Sequence, residues 1–378
     1  MLHSPSDAAV RAYLDERAPA TPCLVLDLAT VRANYHRLRA ALPEAGVLYA
    51  VKANPAPEVV AALAAEGSGF DVASTGEVDL CLAQGADPAD LSYGNPIKKA
   101  VDVAYAHARG VRRFTTDSDG DLEAIAEHAP GARVAVRFLV DAPASGTPFG
   151  AKFGCSPATA ARLLRRAAEL GLRVDGLCFH VGSQHTDPAA WVAGVEQAAA
   201  ITRAAGVPAP ALNLGGGFPT GYRTPAPPLD EHAAAIRAAV AEHFPTPPRL
   251  WVEPGRAVVA TAGVLRSEVV LVSRKSDGDE RRWVYLDVGR YSGLAETENE
   301  YIAYRLRTPH DGGPDGPVTI AGPTCDGDDV IYQRTPYRLP LALRAGDHVD
   351  ILDAGAYTAS YSSVSFNGFP PLPVHVVG

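Results

Sequence analysis

Eight short apolar runs recur between Val47 and Glu253, and helical segments lie between them. Most runs are apolar along their whole length, which is typical of strands covered on both faces. The intervening segments, such as Pro157–Gly171, repeat apolar residues with a helical period. Eight β/α units predict an α/β protein with a closed parallel (β/α)8 TIM barrel; an open doubly wound sheet is the alternative. The runs are VLYAV ending at Val51, GFDVA ending at Ala73, LSYG ending at Gly94, RRFTT ending at Thr116, RVAVRFLV ending at Val140, VDGLCFHV ending at Val181, ALNL ending at Leu214 and RLWVE ending at Glu253.

The character of the sequence changes after Gly263, where helical patterns nearly vanish. Short strand-like runs follow, separated by Gly, Pro and Asp turns, and they predict a C-terminal β-domain built as a sandwich or a barrel. The early run Cys23–Leu28 precedes the first barrel helix, so it is expected to pair into this domain. We therefore predict a barrel over residues 28–262 and a β-domain over residues 1–27 and 263–378. The predicted strands are Ser267–Val272, Arg282–Asp287, Val318–Ala321 and Asp347–Leu352, with a surface loop at Thr308–Pro317.

Charge and cysteine usage exclude several classes of function. The 378 residues carry a formal net charge of −9, which argues against nucleic-acid binding, since such proteins present clustered basic surface. The five cysteines are scattered and none forms a CxxC pair, so neither a disulfide framework nor a metal site is expected. The N-terminal residues lack the apolar core of a signal peptide, and no apolar run is long enough to span a membrane. We expect a cytoplasmic protein with reduced thiols and no membrane partner.

Polar residues and glycines follow the predicted strands, and this pattern indicates the position of an active site. In a TIM barrel the catalytic groups lie at the carboxyl ends of the strands. A barrel that served stability alone would not need such residues there. In chain order the candidates are Lys52, Asp71, Glu77, Gly94, Asn95, Arg137, His180, Gly182, Ser183, Gly215, Gly216, Gly217, Glu253, Gly255 and Arg256.

The residue types at this rim suit a cofactor with an aldehyde, a phosphate and an aromatic ring. Lys52 ends a strand in an apolar context, which lowers the pKa of a lysine amine and lets it form a Schiff base with an aldehyde; a surface lysine is the alternative. Gly215–Gly217 occur where barrels bind phosphate, and Arg256 is a second phosphate contact. Glu253 can pair with a protonated pyridine nitrogen, or else with Arg256. His180 can lie against the ring or serve as a core histidine. Pyridoxal 5′-phosphate (PLP) has all three groups.

Six motifs carry a resemblance to a known family. YAVKAN, FHVGSQ, LNLGGGFP, WVEPGR, GPTCDG and DAGAY occur in this order, and the match extends from about Thr21 to about Asn367. The chain resembles the fold-type III PLP enzymes, and among them the ornithine/diaminopimelate/arginine decarboxylase family, with ornithine decarboxylases most similar. The resemblance implies an alanine-racemase-like barrel, a C-terminal β-domain and an obligate homodimer whose active sites are shared between the subunits.

The resemblance also implies a role for each matching residue. Lys52 forms the Schiff base with PLP, His180 stacks on the ring, and Glu253 holds the pyridine nitrogen. The residues implied around the phosphate are Ser183, Gly215, Gly216, Gly217, Gly255, Arg256 and Tyr357. The supporting residues are Asp71, Glu77 and Arg137.

Cys325 and Asp326 resemble the pair that the second subunit contributes to each active site in this family. A cysteine thiol can act as a general acid, so Cys325 is expected to return a proton to the substrate carbanion. A small buried hydrophobe is the alternative interpretation of Cys325. Asp326 would bind the cationic side-chain amine of the substrate. The segment LAETENEY offers Glu296 and Glu300 as further substrate contacts, and Tyr357 is also expected near the substrate.

These roles imply decarboxylation of a basic amino acid, most simply L-ornithine to putrescine, with lysine to cadaverine as a second reaction. Lysine, arginine or a modified basic amino acid of secondary metabolism is the alternative substrate. Asp326-Gly327 differs from the Glu-Ser pair of diaminopimelate decarboxylases, which disfavours a substrate with a second carboxylate. An amino-acid racemase is disfavoured by Glu253, because alanine racemases place an arginine at the pyridine nitrogen. A non-catalytic relative that resembles the antizyme inhibitors is disfavoured because Lys52, Glu253 and Cys325 are all present.

Overall fold

The chain folds into two compact units. The computed structural model describes residues 5–140 and 152–378. The first unit contains the described parts of Asn34–Pro219 and Ala226–Ala257. The second contains the described part of Met1–Ala33, together with Thr220–Pro225 and Val258–Gly378. Among the helices of the described residues, none is both long enough and apolar enough to cross a membrane.

Strands and helices alternate in the first two thirds of the chain, and strands dominate the remainder. The strands are β1 (Cys23–Asp27), β2 (Ala45–Ala50), β3 (Gly69–Val72), β4 (Leu91–Tyr93), β5 (Arg113–Thr116), β6 (Arg133–Arg137), β7 (Arg173–Cys178), β8 (Ala211–Asn213), β9 (Arg249–Val252), β10 (Gly263–Ser273), β11 (Arg282–Leu286), β12 (Leu306–Arg307), β13 (Asp315–Ala321), β14 (Val330–Pro340), β15 (His348–Leu352) and β16 (Val374–Val377). The helices are α1 (Pro5–Arg17), α2 (Leu28–Ala41), α3 (Pro57–Ala65), α4 (Thr75–Ala83), α5 (Ala100–Ala108), α6 (Asp119–His128), α7 (Pro157–Glu169), α8 (Ala189–Ala205), α9 (Leu229–His243) and α10 (Arg256–Val259).

The first unit is a closed parallel barrel of strands β2 to β9 in chain order. This confirms the predicted (β/α)8 barrel and excludes the open doubly wound sheet. Two strands end three residues earlier than the sequence predicts. β6 ends at Arg137, because the chain beyond it pairs with Cys155 instead of continuing in the barrel. β7 ends at Cys178, and the chain then turns so that the Gly182 amide donates to the side chain of His180.

The barrel interior holds a buried cation as well as apolar side chains. Arg113, the first residue of β5, is 8% exposed, and its guanidinium lies 4.3 Å from the centre of the Trp251 ring. Asp175 on β7 lies 3.4 Å from the Arg113 Nε. Gly46 makes room for the indole, since a Cβ at that position would lie 2.3 Å from the ring. Because Arg113 begins its strand, this cluster fills the barrel away from the carboxyl-terminal rim, where the candidate residues follow the strands.

The second unit is built around an eight-stranded sheet, which confirms the predicted β-domain fold. Its main path is β12-β15-β10-β11-β13-β14. β1 pairs antiparallel with β10 and parallel with β16, so the early run Cys23–Leu28 joins this sheet as expected. Four of the strands follow the predicted runs, with shifted ends, while the sequence does not predict β12, β14 and β16.

Thr220–Pro225 belongs to the second unit, although the predicted domain bounds place it in the barrel. The Arg223 amide donates to the carbonyl of Ala303 at 3.1 Å. The Tyr222 ring packs edge-on against the Tyr304 ring, with centroids 5.4 Å apart. These contacts hold Thr220–Pro225 against the segment that precedes β12.

β14 contains a large bulge opposite β13. Val318 pairs with Tyr337 and Ile320 with Tyr332, so a step of two residues on β13 corresponds to a step of five on β14. The extra residues bend the strand and leave the N–H groups of residues 333–335 without partners on β13. Gln333 and Arg334 are exposed and Thr335 is half-buried, and an acceptor from elsewhere in the chain can pair with these three N–H groups.

Glu300 supplies that acceptor. Its carboxylate oxygens lie 2.9 Å from the amide nitrogens of Gln333 and Arg334, and one also accepts the amide of Thr335. The side chain is 5% exposed, and Asn299 and Glu300 both adopt positive φ values, 57° and 60°. Burial alone would raise the pKa of Glu300, but the N–H groups of the bulge outweigh burial and lower the pKa to about 2. Glu300 is therefore ionised, and it accepts the hydrogen bonds of the bulge as a carboxylate.

Replacing Glu300 with glutamine should destabilise the protein at neutral pH by about 2 kcal/mol, because the neutral amide accepts these hydrogen bonds less strongly. The folded-state pKa lies below the ordinary value of 4.5, so the carboxylate contributes its full stability above about pH 5 and loses it as the pH falls towards about 2. Urea unfolding at about pH 7 and about pH 4 should therefore show a difference between wild type and Glu300→Gln that shrinks in acid. Glu298→Gln is the control, since Glu298 is exposed in the same segment. Equal stability of wild type and Glu300→Gln at neutral pH would contradict this account.

Candidate active site

Lys52 lies directly after β2, in a short 3-10 turn formed by Val51–Ala53. Its Nζ is 3.2 Å from Oδ2 of Asp71 on β3. The Lys52 side chain is 47% exposed, whereas the Asp71 side chain is 7% exposed. The sequence analysis expects a desolvated lysine, and the structure instead gives an amine that solvent and ligands can reach. The anchoring partner, Asp71, is the buried member of the pair.

Three carboxylates crowd this part of the barrel: Asp71, Glu77 and Glu253. Burial raises the pKa of both Glu77 and Glu253, and the charge of Asp71 raises both further. Lys52 opposes these shifts at both residues, and Arg137 opposes the shift at Glu253. Oδ1 of Asp71 is buried and makes no hydrogen bond within the described residues. Two cations thus face three acids, and the excess of buried negative charge suits a ligand that carries a positive charge.

His180 follows β7 and is held as a neutral imidazole. Its Nδ1 accepts a hydrogen bond from the Gly182 amide at 2.9 Å. Burial lowers the pKa of His180 well below its ordinary value, and the charges of Arg137 and Lys52 lower it further. A Cβ added at Gly216 would lie 3.4 Å from Nε2 of His180, so the ring lies beside the glycine turn. A fixed, neutral ring of this kind can stack on an aromatic ligand without adding positive charge to the site.

The glycine turn after β8 depends on close backbone packing. Gly215 and Gly217 have φ values of +67° and +93°, which glycine adopts without strain. At Gly215, Gly216 and Gly217 in turn, an added Cβ would lie 2.2, 2.5 and 2.3 Å from a backbone oxygen. The amides of Gly216 and Gly217 donate no hydrogen bond among the described residues. They are therefore available to an anion such as phosphate.

Polar groups from two other loops lie close to this turn. Nη2 of Arg256 is 3.2 Å from Oγ of Ser183, and Arg256 is 5% exposed. A Cβ added at Gly255 would lie 2.7 Å from Cβ of Ala53, so the loop that precedes Arg256 packs against the turn that carries Lys52. Guanidinium and hydroxyl donors beside a glycine turn are a suitable set for a phosphate monoester.

Asn213, the last residue of β8, is the site residue that the sequence analysis misses. Its Nδ2 donates to Oε1 of Glu253 at 2.5 Å, and its Oδ1 accepts the Gly215 amide at 2.9 Å. The available signal was its position inside the motif LNLGGGFP, two residues before the first glycine. The predicted alternative, in which Arg256 is the partner of Glu253, is not needed to explain how this carboxylate is held.

PLP fits this arrangement group by group. Lys52 offers an accessible amine for the aldehyde, and Glu253 offers a carboxylate for the pyridine nitrogen. His180 would cover a face of the ring. The surplus of buried carboxylates, including the unsatisfied oxygen of Asp71, matches a ring that carries a proton. The phosphate would be held by the glycine turn with Ser183 and Arg256.

The second unit carries the other predicted site residues. Cys325 and Asp326 lie in the turn between β13 and β14, and both are exposed. The Cys325 amide donates to Oδ1 of Asn367 at 3.1 Å, and Oδ1 of Asp326 accepts the Asp328 amide at 2.8 Å. Tyr357 follows β15 with a φ of +63°. The turn is thus tied at both residues while the Cys325 thiol stays accessible.

The two glutamates predicted to contact the substrate have different surroundings. Glu300 is committed to the β14 bulge by three backbone amides, which argues against its predicted substrate role. Glu296 is partly exposed in the same segment. Tyr291, which the sequence analysis overlooks, lies near Asp326: burial raises the pKa of the Tyr291 hydroxyl, and the charge of Asp326 raises it further. Its ring packs against Phe366 with centroids 4.7 Å apart.

Comparison with known proteins assigns this site to a family. Residues 28–260 match the pyridoxal binding domain of the pyridoxal-dependent decarboxylases. A lysine/ornithine decarboxylase of Selenomonas ruminantium is 38% identical over 367 residues, which cover 94% of this chain and 89% of that protein. A lysine/ornithine decarboxylase from Vibrio vulnificus, solved with cadaverine, superposes with a TM-score of 0.88 at 32% identity and covers 100% of both chains. The arginine decarboxylase of Paramecium bursaria Chlorella virus gives a TM-score of 0.89 at 25% identity, over 98% of this chain and 100% of that chain.

The domain match covers more than half of the chain, and the relatives match it over nearly its whole length. These findings confirm the family and the cofactor that the six motifs predict. The chain therefore belongs to the pyridoxal-dependent decarboxylase family, and PLP is its cofactor.

Proposed function

We propose that this protein decarboxylates L-ornithine to putrescine and accepts lysine, giving cadaverine, as a second substrate. The observation that carries the proposed decarboxylation is the hydrogen bond that Glu253 accepts from Asn213, because it favours the ionised carboxylate where the pyridine nitrogen would lie. An ionised acid at that nitrogen favours full withdrawal of the electrons left by the departing carboxylate. The relatives named lysine/ornithine decarboxylase support a basic amino acid as the substrate, and structures of one of them contain cadaverine or putrescine.

Each of the barrel residues would have its own role in the reaction. PLP, when bound, supplies the electron sink for the bond to the carboxylate. Lys52 binds the cofactor through its amine and gives way to the amine of the substrate, while Asp71 keeps the amine of Lys52 oriented. Glu253 keeps a proton on the pyridine nitrogen. Neutral His180 stacks on the ring face and excludes water from it.

The residues of the second unit would complete the site of a partner subunit. We propose a homodimer in which Sγ of Cys325 returns a proton to Cα of the substrate and Asp326 binds the distal amine. Both residues are exposed in the single chain, as a contribution to another subunit requires. Exposed apolar residues shortly before Asn367, whose side chain accepts the Cys325 amide, suit an interface: Tyr361 is 57% exposed and Val364 is 74% exposed.

Arginine or a modified basic amino acid is the alternative substrate. The structural similarity to a viral arginine decarboxylase, at 25% identity, supports arginine as this alternative. Because Glu300 is held in the β14 bulge, the predicted acids that remain to bind the distal cationic group of the substrate are Asp326 and Glu296. The position of these two carboxylates would therefore set the preferred length of the substrate.

A panel assay for CO2 release should rank ornithine first and lysine second, with little release from arginine or diaminopimelate. Asp326→Ala should raise KM for the preferred substrate by an amount that corresponds to about 2–5 kcal/mol, because the distal ammonium loses a desolvated partner. Asp328→Ala is the matched control, since Asp328 is an exposed acid in the same turn. CO2 release only from arginine would replace the proposed substrate, and an unchanged KM in Asp326→Ala would remove Asp326 from the site.

Mixing two impaired variants tests the shared site. Lys52→Ala should lose activity, and Cys325→Ala should turn over slowly and accumulate misprotonated product. In a mixed dimer, the subunit that keeps Lys52 can use the Cys325 of its partner, so one site of the two is intact. Random exchange makes half of the dimers mixed, and activity should therefore recover to about a quarter of the wild-type value. If mixing restores nothing although the subunits exchange, each site is built from one chain alone.

A further inference from the structure

We propose that Asn213 is a positioning residue that holds Glu253 as a hydrogen-bond acceptor and ties this carboxylate to the glycine turn. Asn213 acts through Glu253 and Gly215 in this proposal. The inference rests on the proposed roles of Glu253 and the turn in holding PLP. It does not depend on which basic amino acid is the substrate.

The hydrogen bonds fix the orientation of the Asn213 side chain. The Gly215 amide can only donate, so the side-chain atom that faces it at 2.9 Å must be the oxygen. Nδ2 must then face Glu253, and this NH2 group can only donate. Oε1 of Glu253 is therefore required to accept. The direction of this bond is set by a backbone N–H that cannot change its role.

The backbone strengthens the same connection. The Glu253 amide donates to the carbonyl of Gly215 at 2.8 Å, while the Asn213 side chain links the Glu253 carboxylate to the Gly215 amide. Two connections therefore join the residue for the pyridine nitrogen to the turn for the phosphate. A cofactor with its phosphate and its ring nitrogen at opposite ends needs these two anchors at a fixed separation. Asn213, which is 7% exposed, lies where it can set that separation.

The charges around Glu253 make an uncharged donor useful. Burial raises the pKa of Glu253, and Asp71 on β3 raises it further. Lys52 after β2 and Arg137 at the end of β6 oppose these effects. Cys178 on β7 also faces Glu253, but burial raises the pKa of its thiol so that it stays neutral. The side-chain amide of Asn213 favours the ionised carboxylate of Glu253 and adds no charge beside the cofactor ring.

Two substitutions separate the two contacts of Asn213. Asn213→Ala removes both the donor to Glu253 and the acceptor for the Gly215 amide. Asn213→Asp has the same shape and keeps the acceptor, but in its ionised form it offers no donor and adds a carboxylate beside Glu253. Thr115→Val is the matched control, because Thr115 is a buried polar residue of β5, a barrel strand that does not pair with β8, and the substitution conserves its shape.

The first measurement is the dissociation constant of PLP, obtained by titrating the apoenzyme with PLP and following the visible absorption of the bound cofactor. Asn213→Ala should weaken PLP binding by about tenfold or more, because the turn and the carboxylate lose their link. Asn213→Asp should weaken binding less than Asn213→Ala, since the Gly215 amide keeps its acceptor. Thr115→Val should bind PLP as the wild type does.

The second measurement is the pH profile of kcat/KM for the best substrate. Without the Asn213 donor, the pKa of Glu253 should rise, so activity should begin to fall at a higher pH on the acid side. The shift should be about one pH unit for Asn213→Ala and larger for Asn213→Asp, which adds like charge. Thr115→Val should leave the profile unchanged. If Asn213 served packing alone, its substitution would lower thermal stability but would not shift the pH at which activity falls on the acid side.

The proposal would be overturned if both Asn213 variants bound PLP with wild-type affinity. It would also be overturned if Asn213→Asp lost activity on the acid side at the same pH as the wild type. The isosteric Asn213→Asp keeps the test available if Asn213→Ala does not fold, which circular dichroism would show. The PLP titration uses no substrate. If wild type releases CO2 from none of the amino acids in the panel, the proposed function fails while the role of Asn213 can still be tested.

Discussion

An excess of buried negative charge at the carboxyl-terminal rim of the barrel is the constraint on which the site depends. Asp71, Glu77 and Glu253 crowd this rim, and Lys52 and Arg137 balance them only in part. Burial raises the pKa of Glu77 and Glu253, so each hydrogen bond or cation nearby decides whether they stay ionised. A protonated pyridine ring relieves this imbalance. The protonated ring of PLP therefore suits the electrostatics of this rim.

The barrel brings these groups together because each follows a different parallel strand. The strand ends supply fixed positions, and short turns then aim the side chains. The glycine turn can approach the backbone of the neighbouring loops only because it lacks Cβ atoms, as the distances of 2.2 to 2.5 Å show. Asn213 connects this turn to Glu253, so the proposed anchors for the two ends of the cofactor are parts of one hydrogen-bonded unit.

Much of the fold could be predicted from the sequence. Apolar runs of the parallel barrel stand out, because strands buried on both faces must be apolar throughout. β14 does not stand out, since Pro336, Pro340 and a bulge interrupt its pattern, and the acceptor that closes the bulge comes from Glu300, far away in sequence. The same long-range contact explains why Glu300 looked like a substrate ligand. Its local sequence carries no sign of the amides it binds.

The sequence predicts which barrel residues gather at the rim, but not all of their physical properties. Strand-end positions identify Lys52, but the reason given for its reactivity, desolvation, describes Lys98 better. Lys98 follows β4, its side chain is 0% exposed, and burial lowers its pKa. Its Nζ is already engaged by the carbonyls of Asn95 and Thr115 and by Asp121, at 2.7 to 2.9 Å. Burial of an amine and its availability to a ligand are different properties, and only coordinates separate them.

The central claim is that PLP is held covalently by the amine of Lys52. Reduction of the holoenzyme with borohydride would make this bond permanent, and mass spectrometry of the digested protein would locate the pyridoxyl group. The account predicts the group on the peptide that contains Lys52 and its absence from that peptide in Lys52→Ala. A pyridoxyl group found on Lys98, or on any other lysine of the wild-type enzyme, would contradict the account.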